Sequence, residues 1–417
     1  MKTIVISGPG RQAPKQTWVT GSAMLEFLTI DNFTRCSTFS VAGGCGETFI
    51  SIAIPEGLSF SEALAELELR YASAVDRLGL SDSTAIFSRI FLSDILNQES
   101  GLLRSSLFHR LRASCAVSII EQRPVGCGPV SLLSYHLRDP KKPLAKQLSR
   151  PTSDDWRNDL VVKGKNYSLL LSANHTSGDV FNAYSQTQTV FNSLNSILEQ
   201  NGMNLLANGI RTWVYMRDLD NHYKDMVRAR REYFAAHGLT DRTRYLASTG
   251  ILGMTHSPEK IVSVDSLSVG GLSAGQIVRM EALSHLWPTI LYGVTFERGL
   301  RVRFGDRSHL YISGTASINK EGEVVHVGDA ELQTRRAIEN VRALLAAQSA
   351  TLDDMAYVIA YVRNVHDRQR VAKVLDEQLG RKMPLVFTEA AVCRPAWLME
   401  LEGVAIIPDA SEFPPFL

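Results

Sequence analysis

Residues 360–367 read AYVRNVHD, and octets of the same kind occur at 214–221 (VYMRDLDN) and 90–97 (IFLSDILN). In each, an apolar, strand-like run passes into a polar turn and then into a helical pattern. Around the last octet, 308–314 (SHLYISG) and 355–363 (MAYVIAYVR) have the β-branched and aromatic content of strands, and 329–346 carries apolar residues at helical spacing. A second helix is expected at 367–379. LVFTEAAV and WLMELEGVAII then read as a closing strand pair, with Pro384 and Pro395 as punctuation.

The same order of strand, strand, helix, strand, helix, strand, strand fits the other two thirds. The middle third supplies YSLLLSA, a helix over 183–202, GIRTWVYMRD, a helix from about 220 to 237, RYLASTGILG and KIVSVDSLSV. The first supplies ETFISIAI, the helix SEALAELELRYASAVDRLG, AIFSRIFLSD, a short helix near LLRSSLFHRL, CAVSIIEQRPV and VSLLSYHL. The expectation is an α+β chain of three tandem β-α-β-α-β-β units, at 1–140, 155–270 and 290–417. Linkers fall at 138–158, polar and proline-bearing, and at 270–291, which looks partly helical.

Composition excludes several function classes. The 417 residues carry a formal charge of +1 and 21% charged side chains, so no electrostatic footprint for nucleic acid or a membrane surface exists. Five widely spaced cysteines without a C-x-x-C pair indicate neither a disulfide framework nor a zinc site, and the ten histidines form no ligand spacing. The N-terminus lacks a signal-like apolar run, and no stretch is long enough for a membrane helix. A cytoplasmic protein without metal or organic cofactor is the expectation. GPGRQ (8–12) and GGCGE (43–47) lack the spacing of a phosphate-binding loop.

The stretch most charged with chemistry is 392–403, VCRPAWLMELEG. Alternation along a strand puts Glu400 and Glu402 on one face. A carboxyl there, walled by Trp397 and Met399, loses hydration, which raises its pKa and makes it a general acid near neutrality. Arg394 offers a planar fork for a carboxylate. The plainer readings are two solvated glutamates, or one paired with Arg394. Cys393 is more simply a small buried residue than a nucleophile. Tyr223 and Arg230 lie seven apart, hence on one helical face, where solvation is as good a reading as binding. Asp329 is most simply a helix N-cap, and His326 a loop residue.

These residues carry a resemblance. The unit pattern, ISG opening a strand, Asn340 in the first helix, the Y-V-R-N turn, and Arg394 followed by E-x-E look like the Rid/YjgF superfamily. Its chorismate-mutase-like units usually form homotrimers with a ligand site at each subunit interface. Three units in one chain imply an intramolecular pseudo-trimer, a monomer or low homo-oligomer binding a small carboxylate substrate. Within that superfamily, 309–340 with ISGTAS, HVGD, Gln333 and Asn340, then Tyr361-Val-Arg and 393–403, resemble the chorismatases. So do Tyr223 with Arg230, ASTGI at 247–251, and Tyr292, Gly293, Phe296 and Arg298. Val214 stands where that resemblance implies Asn, and no Pro-Arg step follows Gly293.

The resemblance implies cleavage of the enolpyruvyl ether of chorismate to pyruvate and a hydroxybenzoate. Glu400 would protonate the methylene, and Arg394 would anchor a carboxylate. Gly314 and Cys393 would contact the ring as in the subgroup making 3-hydroxybenzoate. Arg298, Arg230, Tyr223 and Tyr361 would complete the substrate contacts, one arginine serving as the second cation from across an interface. Arg123 is read as Arg394's counterpart in the first unit. Two other readings stay open: deamination of 2-imino or enamine acids, and non-catalytic binding of a small acid.

Overall fold

The computed structural model describes residues 4–5, 23–150, 156–178, 182–287, 289 and 293–417. The first unit contains β1 (Ile4–Val5), β2 (Met24–Thr29), β3 (Thr34–Ser40), β4 (Gly46–Ile52), α1 (Phe60–Arg77), β5 (Ala85–Leu92), α2 (Ile95–Leu103), α3 (Ser106–Ser114), β6 (Ala116–Glu121), β7 (Arg123–Pro124) and β8 (Val130–Arg138). The second contains β9 (Ala145–Ser149), β10 (Asn158–Lys163), β11 (Ser168–Thr176), α4 (Ala183–Gln200), α5 (Leu205–Asn208), β12 (Gly209–Met216), α6 (Leu219–Ala236), β13 (Ala247–Leu252) and β14 (Val262–Gly270). The third contains β15 (Ile277–Arg279), β16 (Gly299–Arg303), β17 (Arg307–Ala316), α7 (Ala330–Ala346), β18 (Met355–Val362), α8 (Arg368–Leu379), β19 (Leu385–Glu389) and β20 (Met399–Pro408).

The three sheets share one topology. Their orders are β2-β3-β4-β8-β5-β6, β9-β10-β11-β14-β12-β13 and β15-β16-β17-β20-β18-β19, with β1 and β7 added at the outer edges of the first and third. In each unit the fourth and fifth strands run parallel and the sixth lies antiparallel between the third and fourth. The units are therefore repeats in three dimensions as well as in pattern. Apolar stripes on α1, α4 and α7 cover one face of their own sheets, and caps fix their starts: Ser59 with Glu62, Asn182, and Asp329, which accepts from Leu332 N as expected.

The other sheet faces meet at the centre, where one large core draws buried side chains from all three units. Backbone bridges close the ring. Glu121 pairs with Met254, Ile251 with Val392, and Glu389 of β19 with Arg123 of β7. Each unit thus lends a short segment to the one before it, the third to the second and the second to the first, and the first lends β7 to the third.

Two details differ from expectation. Each unit begins with an additional edge strand or pair, and two of these, β9 and β15, lie inside stretches that read as linkers. Ala145–Ser149 is mostly exposed and polar and Ile277–Arg279 has three residues, so neither carries the apolar alternation of a strand. LLRSSLFHRL forms parts of two helices, because Ser105 caps α3 through its hydroxyl to Phe108 N. No described helix is long and apolar enough to cross a membrane.

Candidate active site

Glu400 lies on β20, opposite Tyr361 of β18 and Ala316 of β17. The β17–β20 register slips between Ile312 and Thr315, and this bulge brings Gly314 against the Glu400 side chain. A Cβ on residue 314 would stand 2.0 Å from Glu400 Oε1, so only glycine leaves room for the carboxyl. Close approach, not backbone strain, explains that glycine.

The opposite wall comes from the second unit. Gly314 N donates to Thr249 Oγ1 at 3.0 Å, and Ser248 N donates to Ser313 Oγ at 2.9 Å, stitching β13 to the bulge. Ser313 N donates to the Arg298 carbonyl at 3.0 Å, which fixes Arg298 beside the site. Tyr223 lies over β13, its ring 3.3 Å from where a Cβ of Gly250 would be. Tyr223, Cys393 and Arg230 perturb one another electrostatically, and Glu400 acts on both Tyr223 and Cys393. Glu400, Gly314, Cys393, Tyr223, Arg230 and Arg298 therefore form one cluster across the second–third interface.

Glu400 is 4% exposed, and no described residue hydrogen-bonds its carboxyl. Burial pushes the carboxyl up to about 8, and the neighbouring charge of Glu402 adds to this, while Arg211 and Arg298 pull the other way. The group is a protonated acid at neutral pH. Burial and the Glu400 charge push the Cys393 thiol up to about 12, which rules out a thiolate there.

Glu402 shares that face but has a different task. It accepts from Arg211 Nη2 at 2.6 Å and from Trp213 Nε1 at 2.7 Å, both on β12 of the second unit. Arg211 also donates to Thr249 Oγ1 at 2.5 Å, linking this ion pair to the wall behind Gly314. Glu402 is thus neither solvated nor paired with Arg394.

Arg230 in the cluster and Arg394 next to it have no carboxylate partner among the described residues. Arg230 is 2% exposed and is held by Thr295 Oγ1 at 3.1 Å and Ser248 Oγ at 3.3 Å. Its face of α6 is turned inward, so solvation is not its role, and burial pulls its pKa down. Arg394 is half-buried, stacked 4.7 Å over Trp397, and donates to the Gly322 carbonyl at 3.0 Å. It adjoins the cluster through Cys393 and makes no hydrogen bond to Glu400. A small cleft, lined in part by Tyr245, Arg279, Trp287 and Glu297, reaches the cluster at Arg298.

Two expected contacts lie elsewhere. The Tyr361 hydroxyl is turned toward Glu402, Tyr215, Arg89 and Arg211 at the centre of the ring. Arg123 pairs with Glu389 in the register by which Ala391 binds Leu252, so Arg123 corresponds to Ala391, not to Arg394. Tyr292 lies outside the described residues. Thr249, Ser248, Arg211 and Trp213 were not anticipated. Arg211 in the apolar run GIRTWVYM was the available signal, because a buried arginine requires a buried acceptor. Among the described residues no cluster of metal-ligating side chains occurs.

Comparison with known proteins agrees with this architecture. The sequence model of the Endoribonuclease L-PSP family matches residues 302–407. A RutC family protein of Pyrococcus abyssi is 33% identical over 98 residues, 23% of this chain and 76% of that protein. The 3-aminoacrylate deaminase RutC of Acinetobacter baylyi is 28% identical over 97 residues, 23% of this chain and 77% of that protein. The chain belongs to the Rid/YjgF (RutC) family. Over a longer span its fold is shared with a crystal structure of a chorismatase, which covers 86% of this chain and 98% of its own with a TM-score of 0.58 and 16% identity.

Proposed function

We propose that the protein cleaves the enolpyruvyl ether of chorismate, releasing pyruvate and a hydroxybenzoate, with Glu400 as the general acid. The observation that carries this reading is the Glu400 carboxyl itself, buried, without a hydrogen-bond partner among the described residues, and held neutral at pH 7 in a cluster that also contains Arg230, an arginine with no carboxylate partner among the described residues. Cleavage of a vinyl ether starts with proton transfer to its terminal carbon. Glu400 gives that proton, the methylene becomes a methyl group, and an oxocarbenium ion forms at the ether carbon. The Glu400 carboxylate left behind stabilises the cation. Water adds to the cation and gives a proton back to Glu400. The resulting hemiketal collapses by breaking the bond between its carbon and the ether oxygen, which takes the hemiketal hydroxyl proton, to give pyruvate and a dihydroxycyclohexadiene carboxylate. Loss of the 4-hydroxyl with the C3 hydrogen as water then gives 3-hydroxybenzoate. Arg394 and Arg230 supply the two cations a dicarboxylate needs, and the pairing of Gly314 with Cys393, which the resemblance ties to the subgroup making 3-hydroxybenzoate, favours that product.

The relationship to a 3-aminoacrylate deaminase favours one second reading, deamination of an enamine or imino acid. There an arginine would hold the carboxylate and water would attack the imine. One experiment separates them: purified protein and Glu400→Gln are incubated with chorismate, pyruvate is followed through lactate dehydrogenase, and the aromatic product is followed by chromatography. Pyruvate with 3-hydroxybenzoate from the wild type, lost in the variant, supports the first reading. Absence of pyruvate, with ammonia released from 2-aminoacrylate generated in situ, replaces it with the second.

A further inference from the structure

The fourth strands of the three units converge at the centre of the ring, and together they leave four buried polar atoms without a partner. These are Arg89 Nε on β5, Arg211 Nη1 and the Tyr215 hydroxyl on β12, and the Tyr361 hydroxyl on β18. Exposure of the four side chains is between 0% and 2%. Their positions are linked: the Arg89 guanidinium lies 4.5 Å over the Trp213 ring and 5.6 Å over Tyr215, and Arg211 lies 5.0 Å over Trp213. Tyr361 is within electrostatic reach of Tyr215, Arg89 and Arg211.

The acceptors nearby are already engaged. Asp265 receives Arg89 Nη2 at 3.1 Å, Ser118 Oγ at 2.6 Å and Asn174 N at 2.9 Å. Glu402 receives Arg211 and Trp213. What remains is a surplus of donors: two guanidinium N–H groups and two phenol hydroxyls. A buried donor left unsatisfied is costly, so four in one place call for an acceptor. A water would have to accept from the two guanidinium groups and donate to the two phenol oxygens, whereas a spherical anion accepts from all four at once. Two arginines and two carboxylates already cancel, which favours a single negative charge over a multiply charged ion.

We propose that the axis of the ring holds one monovalent anion of halide size, bound by Arg89, Arg211, Tyr215 and Tyr361. All three units contribute donors, so the ion ties the pseudo-trimer together. It is separate from the Glu400 carboxyl and does not depend on the reaction assigned to it.

The test uses the full chain exchanged into chloride-free gluconate buffer at fixed ionic strength. Bromide is titrated while Tm is followed, and crystals grown in bromide are measured at the bromine absorption edge. The expected result is one anomalous peak within hydrogen-bond distance of the two hydroxyls, with a Tm that rises saturably with bromide. Tyr215→Phe should need at least tenfold more bromide for half the effect. Ordered water or empty density at the axis of the wild type would overturn the proposal without recourse to any variant. So would a Tm indifferent to bromide, or a Tyr215→Phe protein that responds as the wild type does.

Discussion

The second–third interface and the first–second interface use equivalent positions and end in opposite states. Both third strands carry a bulge, Ser172–His175 in β11 and Ile312–Thr315 in β17. At the inner bulge position the third unit has Gly314, which yields its space to the Glu400 carboxyl. The second unit has Asn174 there, with φ of 57°, and its side chain donates to the Val117 carbonyl at 2.7 Å and accepts from Ile119 N at 2.9 Å. The carboxamide knits the two units where the other interface leaves a gap. Opposite the bulge, register places Ser263 where the third unit has Glu400, and Asp265 where it has Glu402. The outer carboxylate is retained and paired, with Arg89 in one interface and Arg211 in the other.

The third–first interface departs further. Register puts Ser131 and Leu133 at the two glutamate positions, and the β4–β8 pairing has no bulge. A buried network of Glu47 with Arg307, His309 and Tyr135 joins those units instead. The difference teaches that the carboxylate–arginine pair serves assembly, while the acid and the glycine that accommodates it make a site. The repeated scaffold offers three interfaces, and one of them holds a buried acid against a glycine in a bulge.

The comparison can be broken most severely at Glu400. Glu400→Gln should lower pyruvate release from chorismate by about 10²- to 10⁴-fold, the usual range for loss of a general acid. Ser263→Ala should leave the rate unchanged. Equal losses in both would end the distinction between the two interfaces.

Next in size is the shared ion pair. Glu402→Leu strands Arg211, and Asp265→Leu strands Arg89; each should destabilise the fold by roughly 3–5 kcal/mol in urea unfolding. The double change of Glu402 and Arg211 to apolar residues should recover most of that loss. A single variant as stable as the wild type would remove the assembly role.

Gly314→Asn tests whether the third unit's site can be converted into the sealed form. Its side chain must take the space of the Glu400 carboxyl, so activity should fall by more than tenfold while the circular dichroism spectrum is preserved. Unchanged activity would show that this space is not the site.

The smallest expected effect is in stability against pH. Glu400 has its folded pKa raised from an unfolded value of 4.5 to about 8. Its neutral form is the favoured one in the fold, so its contribution is fully present below pH 4.5 and is lost as pH rises through 8. Glu400→Gln should therefore gain stability relative to the wild type across that window, by up to a few kcal/mol. A stability difference that is flat from pH 4.5 to 9 would contradict the buried acid.

Much of this architecture was legible in the chain. The three octets marked the turns after the fourth strands, and the alternation at 399–402 put both glutamates on one face. Edge strands β9 and β15 were hidden because short exposed strands have no apolar period. The partners of Glu402 were hidden for a different reason. Arg211 and Trp213 lie 191 and 189 residues from it in sequence, and a pairing across units leaves no local pattern. The resemblance of Tyr361-Val-Arg to the chorismatases implies a substrate contact at Tyr361, but its hydroxyl reaches past the acid toward the axis.

The protonation state of Glu400 is the most direct point at which to measure. Carboxyl ¹³C resonances of glutamate-labelled protein, compared between wild type and Glu400→Gln, isolate this one group. A resonance that stays in its protonated position through pH 7 and titrates near 8 is the predicted result; one that titrates between pH 4 and 5 would contradict the account.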